Sequence, residues 1–184
     1  MKFTQTKLPD VILVEPEVFG DNRGFFMETW HAEKFAAGGI TADFVQDNHS
    51  SSSRGILRGL HYQVTKPQGK LVRVLSGEVF DVAVDLRRTS ATFGQWVGMS
   101  LSAENKKMLW IPQGFAHGFY VISQQADFFY KCTDFYEPAY ERTIRWDDPD
   151  LAIGWPLIDD KAPVVAPKDA NAALFRESEY YLKE

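Results

Sequence analysis

The feature that most restricts the fold of this chain is its punctuation. Through the middle of the sequence, runs rich in β-branched and aromatic residues are short, and turn-forming Gly, Pro, Asn and Ser interrupt them every few positions. The runs fall at 44–48, 60–64, 71–75, 79–86, 95–101, 108–111, 116–122 and 128–134. The clearest, 79–86, alternates: Phe80, Val82, Val84 and Leu86 share one face, and Val79, Asp81, Ala83 and Asp85 share the other. Period two is the signature of a strand with one face in the core. The tract Ser50, Ser51, Ser52, Ser53 reads as a polar loop. Many short strands and almost no helical periodicity predict an all-β sandwich or barrel with a few short peripheral helices.

The ends depart from this pattern. Pro9 and Pro16 flank the apolar run 11–14 and exclude a helix, so residues 1–20 read as an extended arm, of the kind that pairs outside its own sheet. A turn at 20–24 leads into a short strand at 25–30. A helix is predicted at 31–37, stopped by Gly38 and Gly39. Residues 147–184 read as an irregular segment crossing the body, with a second helix from 170 to about 178 and Asp169 as its N-cap. At 184 residues and 45% hydrophobic content, the chain suits one domain, 1–184, with a sizeable core. One cysteine, Cys132, allows no intrachain disulfide and points to the cytoplasm; it sits in an apolar run and reads as a buried thiol. The sequence shows no signal core or membrane span, and a pI near 5.4 argues against nucleic acid.

Charge singles out one stretch. From Asn48 to Gly77 there is no Asp or Glu, yet five cations occur: Arg54, Arg58, Lys66, Lys70 and Arg73. In a chain of net charge -5 this implies an anionic partner. His61 lies in its middle, and imidazole is the side chain that titrates near neutrality unaided. A basic surface hairpin with a satisfied histidine accounts for the stretch equally well. The histidines, at 31, 49, 61 and 117, lack metal-ligand spacing, so no metal site is predicted. No nucleophile elbow, Walker loop or dinucleotide fingerprint occurs. Acid–base chemistry remains, with Tyr130 as a second polar group inside a strand. Its bland reading is a core tyrosine bonded to backbone.

Six motifs occur in order: FGDNRGFFME (19–28 with its flanking turn), QDN (46–48), RGLHYQ (58–63), the run from Lys70 to Arg87, IPQGFAHGF (111–119) and FFYKCTDFY (128–136). Together they resemble the dTDP-4-dehydrorhamnose 3,5-epimerases over about residues 8–178. That resemblance implies a cupin-type β jelly roll without metal or other cofactor, homodimeric through exchange of the N-terminal arm. It implies that His61 is the general base and Tyr130 the general acid, with Asp169 paired to the histidine and Lys70 beside the sugar's keto oxygen. Arg23, Glu28, Gln46, Asn48, Arg58, His117, Glu141 and Lys168 match positions that contact the nucleotide, diphosphate or sugar, Arg23 and Glu28 from across the dimer. Tyr136 or Phe19 would wall the thymine. The implied reaction inverts carbons 3 and 5 of dTDP-4-dehydro-6-deoxy-D-glucose. A mono-epimerase, an epimerase of another nucleotide sugar, and a non-catalytic nucleotide-sugar binding module stay open as alternatives.

Overall fold

A computed structural model describes residues 1–180; the last four residues of the segment 147–184 lie outside it. Two antiparallel sheets face each other. The first orders β1 (Lys2–Gln5), β2 (Ile12–Glu15), β10 (Met108–Ile111), β7 (Lys70–Ser76), β12 (Gln125–Cys132) and β5 (Gln46–Ser53). The second orders β13 (Glu141–Thr143), β6 (Leu57–Gln63), β11 (Phe115–Val121), β8 (Glu78–Asp85) and β9 (Trp96–Ser102). A separate hairpin pairs β3 (Val18–Asp21) with β4 (Gly24–Met27).

Alternation places one set of side chains from each strand between the sheets. Val72, Val74, Leu109 and Phe128 from the first sheet meet Val79, Ala83, Leu101 and Phe119 from the second. The prediction for β8 is corrected here, because both of its faces are buried. Phe80, Val82, Val84 and Leu86 pack outward under the C-terminal segment, against Leu151, Trp155 and Tyr180. Asp81 and Asp85 are fully buried as well. A third cluster, with Phe35 and Ile40 against Leu71, Met108 and Trp110, seats α1 (Ala32–Ala37) on the outside of the first sheet. Gly38 ends α1, as the glycine pair predicts. No helix among the described residues is long and apolar enough to cross a membrane.

Three further expectations are corrected. The serine tract is not a loop but half of β5, in register with β12 from Gln46↔Cys132 to Ser53↔Gln125. Backbone ladder bonds decide its conformation, whatever the side chains prefer. The N-terminal run 11–14 pairs within its own sheet, Val14 opposite Met108 and Ile12 opposite Trp110. The element left projecting is the β3–β4 hairpin, with Phe19 56%, Phe25 60% and Phe26 70% exposed. Finally, the continuous helix expected at 170–178 is replaced by α2 (Pro167–Ala170) and a separate 3₁₀ turn at Phe175–Glu177. Beyond α2, Ala173 O accepts from Arg145 N and Phe175 N donates to Asp148 Oδ2 at 2.7 Å, so tertiary bonds claim the backbone groups a helix would use. Asp169 is not the N-cap; Ala166 is, and it makes no side-chain cap.

Candidate active site

β6 and β11 approach closely because two glycines face each other. Gly59 has φ +125°, and a Cβ there would lie 2.5 Å from Gly118 Cα and 2.8 Å from His117 O. Any other residue would push the strands apart or strain the backbone. Directly opposite each other on these strands stand His61 and His117.

Both histidines are held by carboxylates. His61 Nε2 lies 2.8 Å from Asp169 Oδ1, while Asp169 Oδ2 accepts from Gly59 N at 3.3 Å. An ionised carboxylate only accepts, so it takes the Nε2 proton and leaves the lone pair on Nδ1. Burial pushes the Asp169 carboxyl up, but the His61 and Gly59 hydrogen bonds and nearby positive charge outweigh it and leave it below its ordinary value. His117 Nε2 lies 2.8 Å from Oδ2 of buried Asp81. Each imidazole is thus tied to a carboxylate, and no group of three or more potential metal ligands forms among the described residues.

Lys70 and Tyr130 line the same cavity as the histidines. They come from β7 and β12, whose register sets Lys70 opposite Cys132 and Tyr130 opposite Val72. Lys70 is 8% exposed, and among the described residues its side chain makes no hydrogen bond or ion pair. Burial lowers its pKa because the ammonium loses hydration, which the negative charge of Glu141 and Asp81 nearby offsets only in part. The Tyr130 ring packs on the inter-sheet core, but its hydroxyl has no protein partner among the described residues. Burial pushes the phenol up to about 12, so it carries its proton at neutral pH. The core tyrosine with a backbone-bonded hydroxyl is therefore not what the chain builds.

At the cavity mouth, Lys168 Nζ and Tyr136 OH meet Glu141 Oε2 at 2.9 and 3.2 Å. Gln46 Nε2 donates to Asn48 Oδ1 at 3.1 Å. Arg58, on the cavity wall, donates through Nε to buried Ser52 Oγ at 3.0 Å. Arg23 and Glu28 are not in this group. They belong to the projecting hairpin and the turn after it, paired with Asp21 and Lys34. Of the two candidate aromatic walls, Tyr136 lines the cavity and Phe19 stays with Arg23.

Sequence reasoning passed over Asp81 and Ser52. A signal for Asp81 existed: a carboxylate among Val79 and Ala83 on a core-facing strand position needs a partner. For Ser52 there was none, since its role depends on β5 being a strand.

A sequence model of the dTDP-4-dehydrorhamnose 3,5-epimerase family matches residues 5–177. This chain belongs to that family. The dTDP-4-dehydrorhamnose 3,5-epimerase of Pseudomonas aeruginosa is 59% identical over 98% of this chain and 99% of its own. The enzyme of the same name from Shigella flexneri is 53% identical over 99% and 100%. A crystal structure of dTDP-6-deoxy-D-glucose-3,5-epimerase from Legionella pneumophila, in complex with dTDP-4-keto-L-rhamnose, superposes with a TM-score of 0.93 at 54% identity. It covers 97% of this chain and 94% of that one. The two-sheet sandwich is thus the cupin-like fold of the 3,5-epimerases, and the chain is an isomerase of the epimerase class.

Proposed function

We propose that this epimerase inverts carbons 3 and 5 of dTDP-4-dehydro-6-deoxy-D-glucose, giving dTDP-4-dehydro-L-rhamnose, with the residues of the cavity in the roles that follow. The observation that carries the assignment of roles is the convergence of a carboxylate-held imidazole, an unpaired buried ammonium and an unbonded phenol on one cavity. A binding module accounts for the ammonium alone, but not for the ammonium, the carboxylate-held imidazole and the unbonded phenol together.

Both target hydrogens are α to the carbon 4 ketone. His61 Nδ1 removes one as a proton, and the C–H electrons move into the ring bond while the carbonyl electrons move onto oxygen. Imidazole is a weak base for such a C–H bond, so the developing oxyanion needs prepared positive charge. One good donor supplies about 3–4 kcal/mol in a water-poor site. Lys70 is that donor, and the oxyanion replaces the counter-charge its ammonium lacks. Asp169 holds the His61 ring and favours the imidazolium that forms. Tyr130 returns a proton from the opposite face and is refilled from water. His61 gives up its proton to water, and inversion at the second carbon then repeats the sequence. No electron leaves the substrate, so no redox cofactor takes part.

Arg58 supplies charge for the diphosphate, with Asn48, Gln46, His117, Glu141 and Lys168 along nucleotide and sugar. Arg23 and Glu28 reach a site only in a second copy. The exposed Phe19, Phe25 and Phe26 support a homodimer in which each hairpin lies on the partner's cavity. A cytoplasmic location agrees with a lone buried cysteine.

The reaction is tested in deuterium oxide. Mass spectrometry and proton NMR of the keto-sugar are expected to show solvent deuterium at both carbon 3 and carbon 5. Label at one carbon alone would identify a mono-epimerase, and label at neither would overturn this substrate, leaving an epimerase of another nucleotide sugar or a binding module.

A further inference from the structure

Three glutamines bond the backbone of one short loop beside the cavity. Residues 134–137 follow β12 and carry two exposed aromatics, Phe135 at 61% and Tyr136 at 47% exposure. A loop of this kind normally leaves its backbone groups to water. Here glutamine side chains take one on each residue. Gln68 Nε2 donates to Asp134 O at 2.9 Å. Gln63 Nε2 donates to Phe135 O at 3.3 Å, and its Oε1 accepts from Glu137 N at 2.9 Å. Gln46 Oε1 accepts from Tyr136 N at 2.8 Å.

These glutamines come from separate places. Gln46 starts β5, Gln63 ends β6 two residues after His61, and Gln68 lies in the connection to Lys70. Gln63 is 5% exposed, and its remaining donor capacity goes to Lys66 O at 2.7 Å in that same connection. A buried amide with every contact on backbone is placed to fix a conformation. The ring it steers, Tyr136, is anchored at its other end by the hydroxyl on Glu141.

We propose that Gln63 and Gln68, together with Gln46, are positioning residues that hold loop 134–137 rigid, so that Tyr136 stands as a preformed wall for the nucleobase. This rests on the nucleotide-sugar reading above. A wall ordered in advance spares the ligand the conformational cost of ordering it on binding. The clamp bonds to loop backbone and to none of His61, Lys70 or Tyr130, so it acts on affinity for the nucleotide and leaves proton transfer alone.

Isothermal titration with dTDP, thermal melts and steady-state kinetics on the full chain decide the matter. Gln68→Ala removes an only half-buried side chain, so its fold is expected to survive. It weakens dTDP binding about three- to tenfold, the effect of one or two neutral hydrogen bonds. KM rises in parallel, and kcat stays within about twofold. Gln63→Met, matched in length, has a larger effect of the same kind. Tyr136→Ala weakens dTDP binding too, and Gln68→Ala added to it costs nothing further, because the clamp works only through that ring. Unchanged affinity in Gln68→Ala, additive losses in the double variant, or a fall in kcat at constant KM would each overturn the proposal. If Gln63→Met fails to fold, Gln68→Ala and its double variant carry the decision. Wild-type protein that binds no dTDP would overturn the nucleotide-sugar reading and the clamp together, whereas a binding wild type with indifferent variants removes the clamp alone.

Discussion

Replacing Lys70 by methionine is expected to raise stability and abolish most activity, a pairing of signs that few substitutions share. The two side chains have similar length and volume, so packing against the core is largely kept. The ammonium goes, and with it a buried charge that has neither hydrogen bond nor ion pair among the described residues. An unsatisfied buried polar group costs about 1–3 kcal/mol by mutational measure. Lys70 borders the cavity and keeps 8% exposure, so the lower half of that range, about 1–2 kcal/mol, applies. For a chain of this size each kcal/mol moves Tm by about 2–4 °C, giving an increase of about 2–8 °C.

The pH dependence identifies the charge as the cause. Burial lowers the Lys70 pKa below its ordinary 10.5. Below the folded value both folded and unfolded chains hold the proton, and the full cost of burying it is present. As pH rises from the folded pKa toward 10.5, the folded chain releases a proton the unfolded chain keeps, so the wild type gains stability relative to the variant. The Tm gap is therefore widest below the folded pKa and narrows as pH rises from there toward 10.5. Turnover falls by about two to three orders of magnitude, as for loss of one oxyanion donor. Thermal melts by circular dichroism across pH, with a coupled reductase assay, measure all three effects. A variant no more stable than wild type at neutral pH, or a gap that ignores pH, would refute the account of an uncompensated ammonium. Retained turnover would remove Lys70 from the oxyanion role.

Tyr130→Phe keeps the ring on the core and deletes one proton donor, so isotope exchange by His61 continues while L-configured product drops by about two orders of magnitude or more; equal losses of exchange and inversion in NMR would mean another group delivers the proton. Asp169→Asn is expected to lower turnover by about two to four orders of magnitude. Because the Asp169 pKa is lowered on folding, its stabilising contribution is full above the ordinary carboxyl value of 3.8 and is lost as pH falls through the folded value. The Tm difference between wild type and variant should then be flat near neutrality and close below about pH 4, the ordinary carboxyl range; a difference that persists unchanged at pH 3 would contradict the pairing. Phe26→Ser on the hairpin should weaken self-association by about tenfold or more, the effect of exposing one buried aromatic; an unaltered sedimentation profile would detach the hairpin from the dimer.

What the sequence determined by itself was local or repetitive. Period-two runs between turn residues dictate strands, and Gly38 with Gly39 ends the one helix that a glycine pair follows. The order and spacing of the six motifs mark the family and, with it, His61 and Tyr130. These signals survive in one dimension because they depend on neighbouring positions or on matching residue types. Tertiary structure decided everything that depends on which backbone groups find partners across the fold. Strand pairing with β12 turned the serine tract from loop to strand and thereby set Ser52 behind Arg58. Contacts from Asp148 and Arg145 unmade the predicted C-terminal helix, and the freed segment carried Asp169 to His61 instead of to a cap. The C-terminal segment also covered the second face of β8, where alternation alone places only one face in the core. Arg23 and Glu28 remain apart from the cavity because their hairpin lies outside both sheets. The unpaired state of the Lys70 ammonium, on which its proposed oxyanion role rests, is a property of its surroundings: no pattern of residue types records the absence of a partner in space.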